Sequence, residues 1–214
     1  IAPQIATHTV HAADRVTSWA FQPVIQPAVP GVSDAAWPQT PVDRFILSRL
    51  EAKGLHPAPR ANKRTLIRRA TLDLHGVPPT PQEIDDFLHD ESPLAFERVV
   101  DRLLASPRYG ERWGRHWLDV ARFAESSGKE ANISFPYAWR YRDYVIDAVN
   151  ADLPFDRFLV EQIAGDLLPY DNDAERARLL IATSFLAIGA KNLDEMNPLQ
   201  FAADVADEQI DTVT

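Results

Sequence analysis

From Pro41 onward, apolar residues recur every three or four positions, the spacing of one helix face after another. Val42, Phe45, Ile46 and Leu50 mark a first helix, which Gly54 stops. "NKRTLIRRATLDLHG" predicts a second, ending at Gly76. "TPQEIDDFLHD" carries a capping box: Thr80 is the cap, Pro81 takes the first helical position and Glu83 reaches back to the cap. "SPLAFERVVDRLLAS" is amphipathic and opens on Ser-Pro, as does "SPRYGERWGRHWLDVARFAESSG", which the pattern carries as far as Gly128. Four more helical stretches follow: "PYAWRYRDYVIDAVNADL", "PFDRFLVEQIAGDLLP", "NDAERARLLIATSFLAIGA" and "NPLQFAADVADEQIDTVT". Strand-like alternation is almost absent. The expected class is all-α: an irregular multi-helix bundle of about nine helices joined by short turns bearing proline and glycine.

Residues 1–41 break this pattern. Prolines 23, 27, 30, 38 and 41 remove backbone donors and favour extended chain. The expectation is an extended Pro-rich N-terminal arm over 1–41, anchored by Trp19, Phe21 and Trp37, and a helical domain over 42–214. The opening "IAPQIATHTVHAAD" has no basic region followed by an apolar stretch, so it does not read as an intact signal peptide.

Composition narrows the chemistry. The chain has 214 residues, 45% hydrophobic and 25% charged, values ordinary for a globular protein. With no cysteine, it offers no disulfide, thiolate ligand, thiol nucleophile or covalent haem attachment of its own. A formal charge of -9 argues against a general nucleic-acid binder. The one basic cluster, Arg60, Lys63, Arg64, Arg68 and Arg69, suits a solvated helix face. The longest apolar run, residues 179–190, is too short to span a membrane and contains Thr183 and Ser184.

Residues 112–126 raise the first candidate site. On a helix, Trp113, Trp117, Val120, Phe123 and Ala124 share one arc, with His116 inside it and Asp119 at its polar edge. Arg115 and Arg122 flank Asp119 at ion-pair spacing. The expectation is a His116 at least partly buried and oriented by Asp119. That arrangement suits a general base, a metal or haem ligand, or a satisfied core histidine. Glu125 sits where the helix runs out, beside a possible cleft.

"TPVDRFILSRLEAKGL", "RTLIRRATLDLHGVPPTPQEIDDFL", "VVDRLLASPRYGERWGRHWLDVARFAES", "YAWRYRDYVIDAVNADLPFDRFLVEQIAGDLLP" and "ATSFLAIGA" occur in that order. Together they resemble the planctomycete cytochrome-associated domain of unknown function, a PSCyt-type module of large exported proteins. The likeness runs from about Trp19 to the C-terminus. It implies a periplasmic or extracellular setting, and partners that are neighbouring domains of the same protein, one of them cytochrome-c-like. It also implies haem c attached outside this segment, electron transfer, and a role in polysaccharide oxidation. His116 is then a candidate haem contact, and His116, Asp119, Arg122 and Glu125 are candidate catalytic residues.

Two alternatives stay open beside that reading: a carbohydrate-binding or carbohydrate-active module, and a structural scaffold for neighbouring domains. The first has its own residues. Trp139 falls off the Tyr137, Tyr141, Tyr144, Val145, Ala148 arc, beside Arg140 and Asp143. An off-core tryptophan near planar hydrogen-bonding groups suits a sugar-binding surface. In the last helix Asp204, Asp207, Glu208 and Asp211 share one face, which suits a hard cation, solvent, or the arginines at 112, 115 and 122. Asp194 and Glu195 are adjacent in a loop, which is not the separation glycosidases need. His8 and His11 meet a metal only if their segment is ordered.

Overall fold

The computed structural model describes residues 22–128 and 132–213, which fall into two compact units split after Arg60. Among the described residues there are nine α-helices and, outside them, one isolated antiparallel bridge, Ser126 to Ser134. The all-α expectation holds. In the first unit, residues 23–32 carry no helix or strand, and α1 spans Pro41–Glu51. Thr40 caps α1 through a capping box with Asp43. The Glu51 carboxylate accepts the backbone N–H of Ser33 at 2.9 Å and of Asp34 at 3.2 Å, tying that segment to the end of α1. Trp19 and Phe21, the expected anchors of the arm, lie outside the described residues, as do His8 and His11.

The second unit holds α2 (Lys63–His75), α3 (Pro81–His89), α4 (Ala95–Leu104), α5 (Pro107–Val120), α6 (Trp139–Asn150), α7 (Phe155–Ala164), α8 (Asp173–Ala182) and α9 (Pro198–Val213). Local chemistry sets most of their ends. Asn62 caps α2, Ser106 caps α5 and Asn172 caps α8, each accepting a backbone N–H of the first turn. The Thr80 box forms as expected, with Pro81 at the first position.

Two apolar clusters hold this unit together. Ile67, Phe87, Ala95, Val99 and Leu103 join α2, α3 and α4. Leu118, Tyr141, Tyr144, Val145, Phe158, Ala182 and Phe185 are among those joining α5 to α8. The second cluster contains a buried polar network. Trp117 Nε1 donates to Gln162 Oε1 at 2.9 Å and to the Tyr141 hydroxyl at 3.0 Å. The Tyr141 hydroxyl in turn donates to Gln162 Oε1. Next to it, the fully buried Glu161 carboxylate accepts from Tyr144 at 3.0 Å, Arg157 at 2.9 Å and both terminal nitrogens of Arg178. Each buried polar group here has its partner, so the network fixes the packing of α5, α6, α7 and α8 rather than weakening it.

The α5 helix differs from expectation in two ways, and both decide where a site can form. Its buried face is Gly110, Gly114 and Leu118, continued by Ala121, not the arc of Trp113, Val120 and Phe123. Glycine carries no hydrophobic signal, yet here it lets α6 approach closely: a Cβ at Gly110 would lie 2.5 Å from the Ile146 carbonyl oxygen and from the Asn150 side chain. The Asn150 amide occupies that space, its Oδ1 accepting the Gly110 N–H at 2.8 Å, one of the free donors of the first turn. The helix also stops at Val120, well short of Gly128. Arg122 takes a left-handed φ of 54°, and the Phe123 N–H turns back to the Leu118 carbonyl at 2.9 Å. The Phe123 ring then stacks on Tyr141, 6.3 Å between centroids.

Candidate functional site

Two hydrogen bonds close the loop after α5 on itself: Ser127 N–H to the Ile133 carbonyl at 2.9 Å and Phe135 N–H to the Glu125 carbonyl at 2.8 Å. This pairing delivers Phe135, Pro136 and Tyr137 to the start of α6. There they line an apolar hollow of about 310 Å³ with Tyr141 and, from the chain after α8, Ser184 and Ile188. Tyr141 forms part of the lining, and its phenol is held by Trp117 and Gln162. Burial pushes that phenol well above the ordinary tyrosine value, so it stays neutral.

Beside the hollow stands an exposed aromatic platform. Tyr137 is 68% exposed and Trp139 is 44% exposed. The Arg140 guanidinium lies over both rings, 5.2 Å from the Tyr137 centroid and 5.5 Å from that of Trp139. Arg142, one turn on from Trp139, bonds Asp143 Oδ1 at 2.9 Å and pairs with Glu125 at 3.6 Å. These ion pairs are exposed, hence weak, and readily exchanged for contacts to a ligand. The result is two ring faces, a planar guanidinium, and a carboxylate–arginine–carboxylate chain next to a concave apolar floor.

Of the residues singled out in the sequence, the structure gathers Glu125, Trp139, Arg140 and Asp143 in this region. It separates the others. His116 is exposed, against the expectation that it is partly buried. Once Gly110, Gly114 and Leu118 face α6, residue 116 lies nearly opposite them on the helix. Its ring packs edge-on against Trp113, 5.3 Å between centroids, on the outer side of α5. Asp119 does not orient it; Asp119 is exposed and pairs with Arg115 at 2.8 Å. Arg122 reaches α9, donating to Thr212 Oγ1 at 2.6 Å and pairing with Glu208 at 3.5 Å. The four candidate catalytic residues therefore share no centre.

Sequence reading missed Tyr137 as a surface residue, placing it in the core arc. The signal was present: Pro136 and the delayed start of α6 put Tyr137 before the helix, where the arc does not apply. Glu161 and Gln162 were also passed over, since two polar residues within "FLVEQIAG" look like solvent positions until Tyr141, Tyr144 and Arg178 are seen around them. Among the described residues, no group of three or more His, Cys, Asp or Glu side chains is arranged to hold a metal ion, and no helix is long and apolar enough to cross a membrane.

The described residues thus form an all-α module with an exposed aromatic platform on its surface. The chain belongs to the PSCyt2 family, described as a protein of unknown function (DUF1549), a planctomycete cytochrome-associated domain whose family model matches residues 41–214. No curated protein and no solved structure matches the chain.

Proposed function

We propose that this module is the saccharide-holding part of a cytochrome-associated protein. The observation that carries the reading is the exposed Tyr137–Arg140–Trp139 stack beside the apolar hollow. Sugar rings present flat C–H faces that pack on aromatic planes, and equatorial hydroxyls that suit planar guanidinium and carboxylate groups. Arg140, Arg142, Asp143 and Glu125 supply those groups at the platform's edge. The Arg140 guanidinium already lies over both rings and the Tyr141 floor is pinned from below, so little ordering is needed on binding. In this reading haem c and electron transfer belong to neighbouring domains of the same extracytoplasmic protein. The present chain holds polysaccharide for them.

Binding rather than hydrolysis fits the carboxylates. Glu125 and Asp143 are exposed and share Arg142, whereas glycosidic cleavage uses one carboxylic acid kept protonated by its surroundings.

Affinity electrophoresis through gels carrying soluble β-glucan, xylan or pectin tests the reading. The chain is expected to be retarded by at least one of them. Trp139→Ala and Tyr137→Ala each weaken that retardation about tenfold, the worth of one stacked ring with its buried area. His116→Ala leaves it unchanged. Free migration in every gel, or full retardation of both platform variants, overturns the proposal.

A further inference from the structure

Among the described residues of α9 none is buried, although the helix runs for 16 residues. Its bonds to the rest of the chain leave from one side. Glu208 and Thr212 meet Arg122, and the Gln209 amide donates to the Leu186 carbonyl at 3.2 Å. The other side carries Leu199, Ala203, Ala206, Ile210 and Val213, all exposed and within an arc of about 80°. Their spacing alternates four and three residues, the seam of a coiled coil. Leu199 is 83% exposed and Ile210 is 61% exposed. A helix this long draws most of its stability from packing an apolar face, and this face is bare.

The outer side of α5 repeats the pattern with larger side chains. Tyr109, Trp113, His116 and Val120 are spaced four, three and four apart. The rings form a ladder, with centroids 6.0 Å apart from Tyr109 to Trp113 and 5.3 Å from Trp113 to His116, and Val120 beyond them is 71% exposed. The flanks of the two seams differ in charge. Arg108 and Arg112 lie on one flank of α5 and pair with no carboxylate among the described residues. Asp119, on the same flank, is neutralised by Arg115. Asp207 and Asp211 lie on one flank of α9.

We infer that α9 of one copy packs, parallel and in register, along α5 of a second copy of this chain. The exposed acids and arginines need no partner in water. Burial of the two seams drives the contact, and the charges select its direction. In a parallel pair the basic flank of α5 falls beside the acidic flank of α9, with Arg112 facing Asp207. An antiparallel pair would set the arginines against Ala202 and Gln209 instead. The parallel register puts Tyr109 on Leu199, Trp113 on Ala203, His116 on Ala206 and Val120 on Ile210, so two rings fall where alanines leave room. Pairing α9 with α9 would set alanine on alanine and give the acids no cation. The contact uses none of the aromatic platform, so it and the saccharide reading can fail separately.

Because the chain has no cysteine, single cysteines report the register. His116 and Ala206 are both exposed, so replacing either removes no core contact. His116→Cys and Ala206→Cys chains mixed in glutathione buffer are expected to form the mixed disulfide about tenfold faster than either forms a homodimer. The same excess is expected over His116→Cys mixed with Ala202→Cys, which stands off the seam. In sedimentation the unaltered chain self-associates as its concentration rises. Ala206→Arg weakens this at least about tenfold by forcing a charge into the seam. Arg112→Glu weakens it about fivefold, and Asp207→Arg added to that chain restores it. A chain that stays monomeric to about 1 mM, association indifferent to Ala206→Arg, or homodisulfides that form as fast as the mixed one overturns the inference.

Discussion

Replacing Arg178 with alanine is expected to lower the unfolding free energy by about 3–5 kcal/mol, read from urea denaturation. The reason is an imbalance of exposure. The Glu161 side chain has no solvent access, whereas the Arg178 side chain is 40% exposed and that of Arg157 is 39% exposed. Removing the carboxylate returns two arginines to water at modest cost. Removing Arg178 leaves a charge inside the protein with only Arg157 and Tyr144 beside it. Glu161→Leu combined with Arg178→Met is therefore expected to recover most of the loss, since it withdraws both charges and keeps apolar volume. If Arg178→Ala costs no more than an exposed ion pair, under about 1 kcal/mol, the network is not what packs α7 against α8.

The same network gives stability a pH signature. Burial alone raises the Glu161 carboxyl, but the bonds from Arg178, Arg157 and Tyr144 outweigh it and hold the group below the ordinary glutamate value. A depressed carboxyl stabilises the fold above the unfolded value, about 4.3, and that contribution is lost as pH falls below it. Tyr141 and Tyr144 act at the other end. Burial raises both phenols, with the Glu161 charge adding to the effect at Tyr144. Their contribution is complete below about pH 10 and declines above it, as the unfolded phenols ionise first.

Gly110→Ala is expected to cost about 3 kcal/mol, although alanine is the better helix former by about 1 kcal/mol. The new Cβ would meet the Ile146 carbonyl oxygen at 2.5 Å, and that atom belongs to the α6 backbone, which cannot step aside. It would also displace Asn150, which caps the first turn of α5 through the Gly110 N–H and bonds the Pro107 carbonyl at 3.2 Å. Gly114→Ala is the built-in contrast. Its Cβ would meet Val145 and Ile146 side-chain atoms at 3.4 Å, ordinary contact, and the variant is expected to be neutral or slightly more stable. Thermal unfolding of the pair checks both. Equal melting points would mean that α5 and α6 are not in this close register.

The caps show what the sequence makes plain. Thr80, Pro81 and Glu83 announce a helix start through local bonds, and the structure forms those bonds as written. The exposure of Trp139 was also legible, because it falls off the apolar arc of its helix. His116 was not legible. Its burial depended on which face of α5 meets α6, and that choice turned on two glycines whose contribution is the space they leave. Nor was the end of α5: Arg122 in a left-handed conformation is stabilised by α9, far along the chain, and no local residue advertises it. Long-range ion pairs such as Arg122–Glu208 and Arg178–Glu161 are invisible to periodicity; of the three arginines weighed as partners of the acidic face of α9, Arg122 pairs with Glu208.

The central claim, that ligands are held on the exposed aromatic stack, is tested most directly by the indole N–H resonances. The chain has five tryptophans, each giving one such signal. On titration with a polysaccharide that retards the chain in gels, the Trp139 signal is expected to shift progressively, while Trp117, bonded to Gln162 and Tyr141 inside the core, stays in place. A bound polysaccharide that leaves Trp139 unmoved, or that moves Trp113 instead, would contradict the assignment.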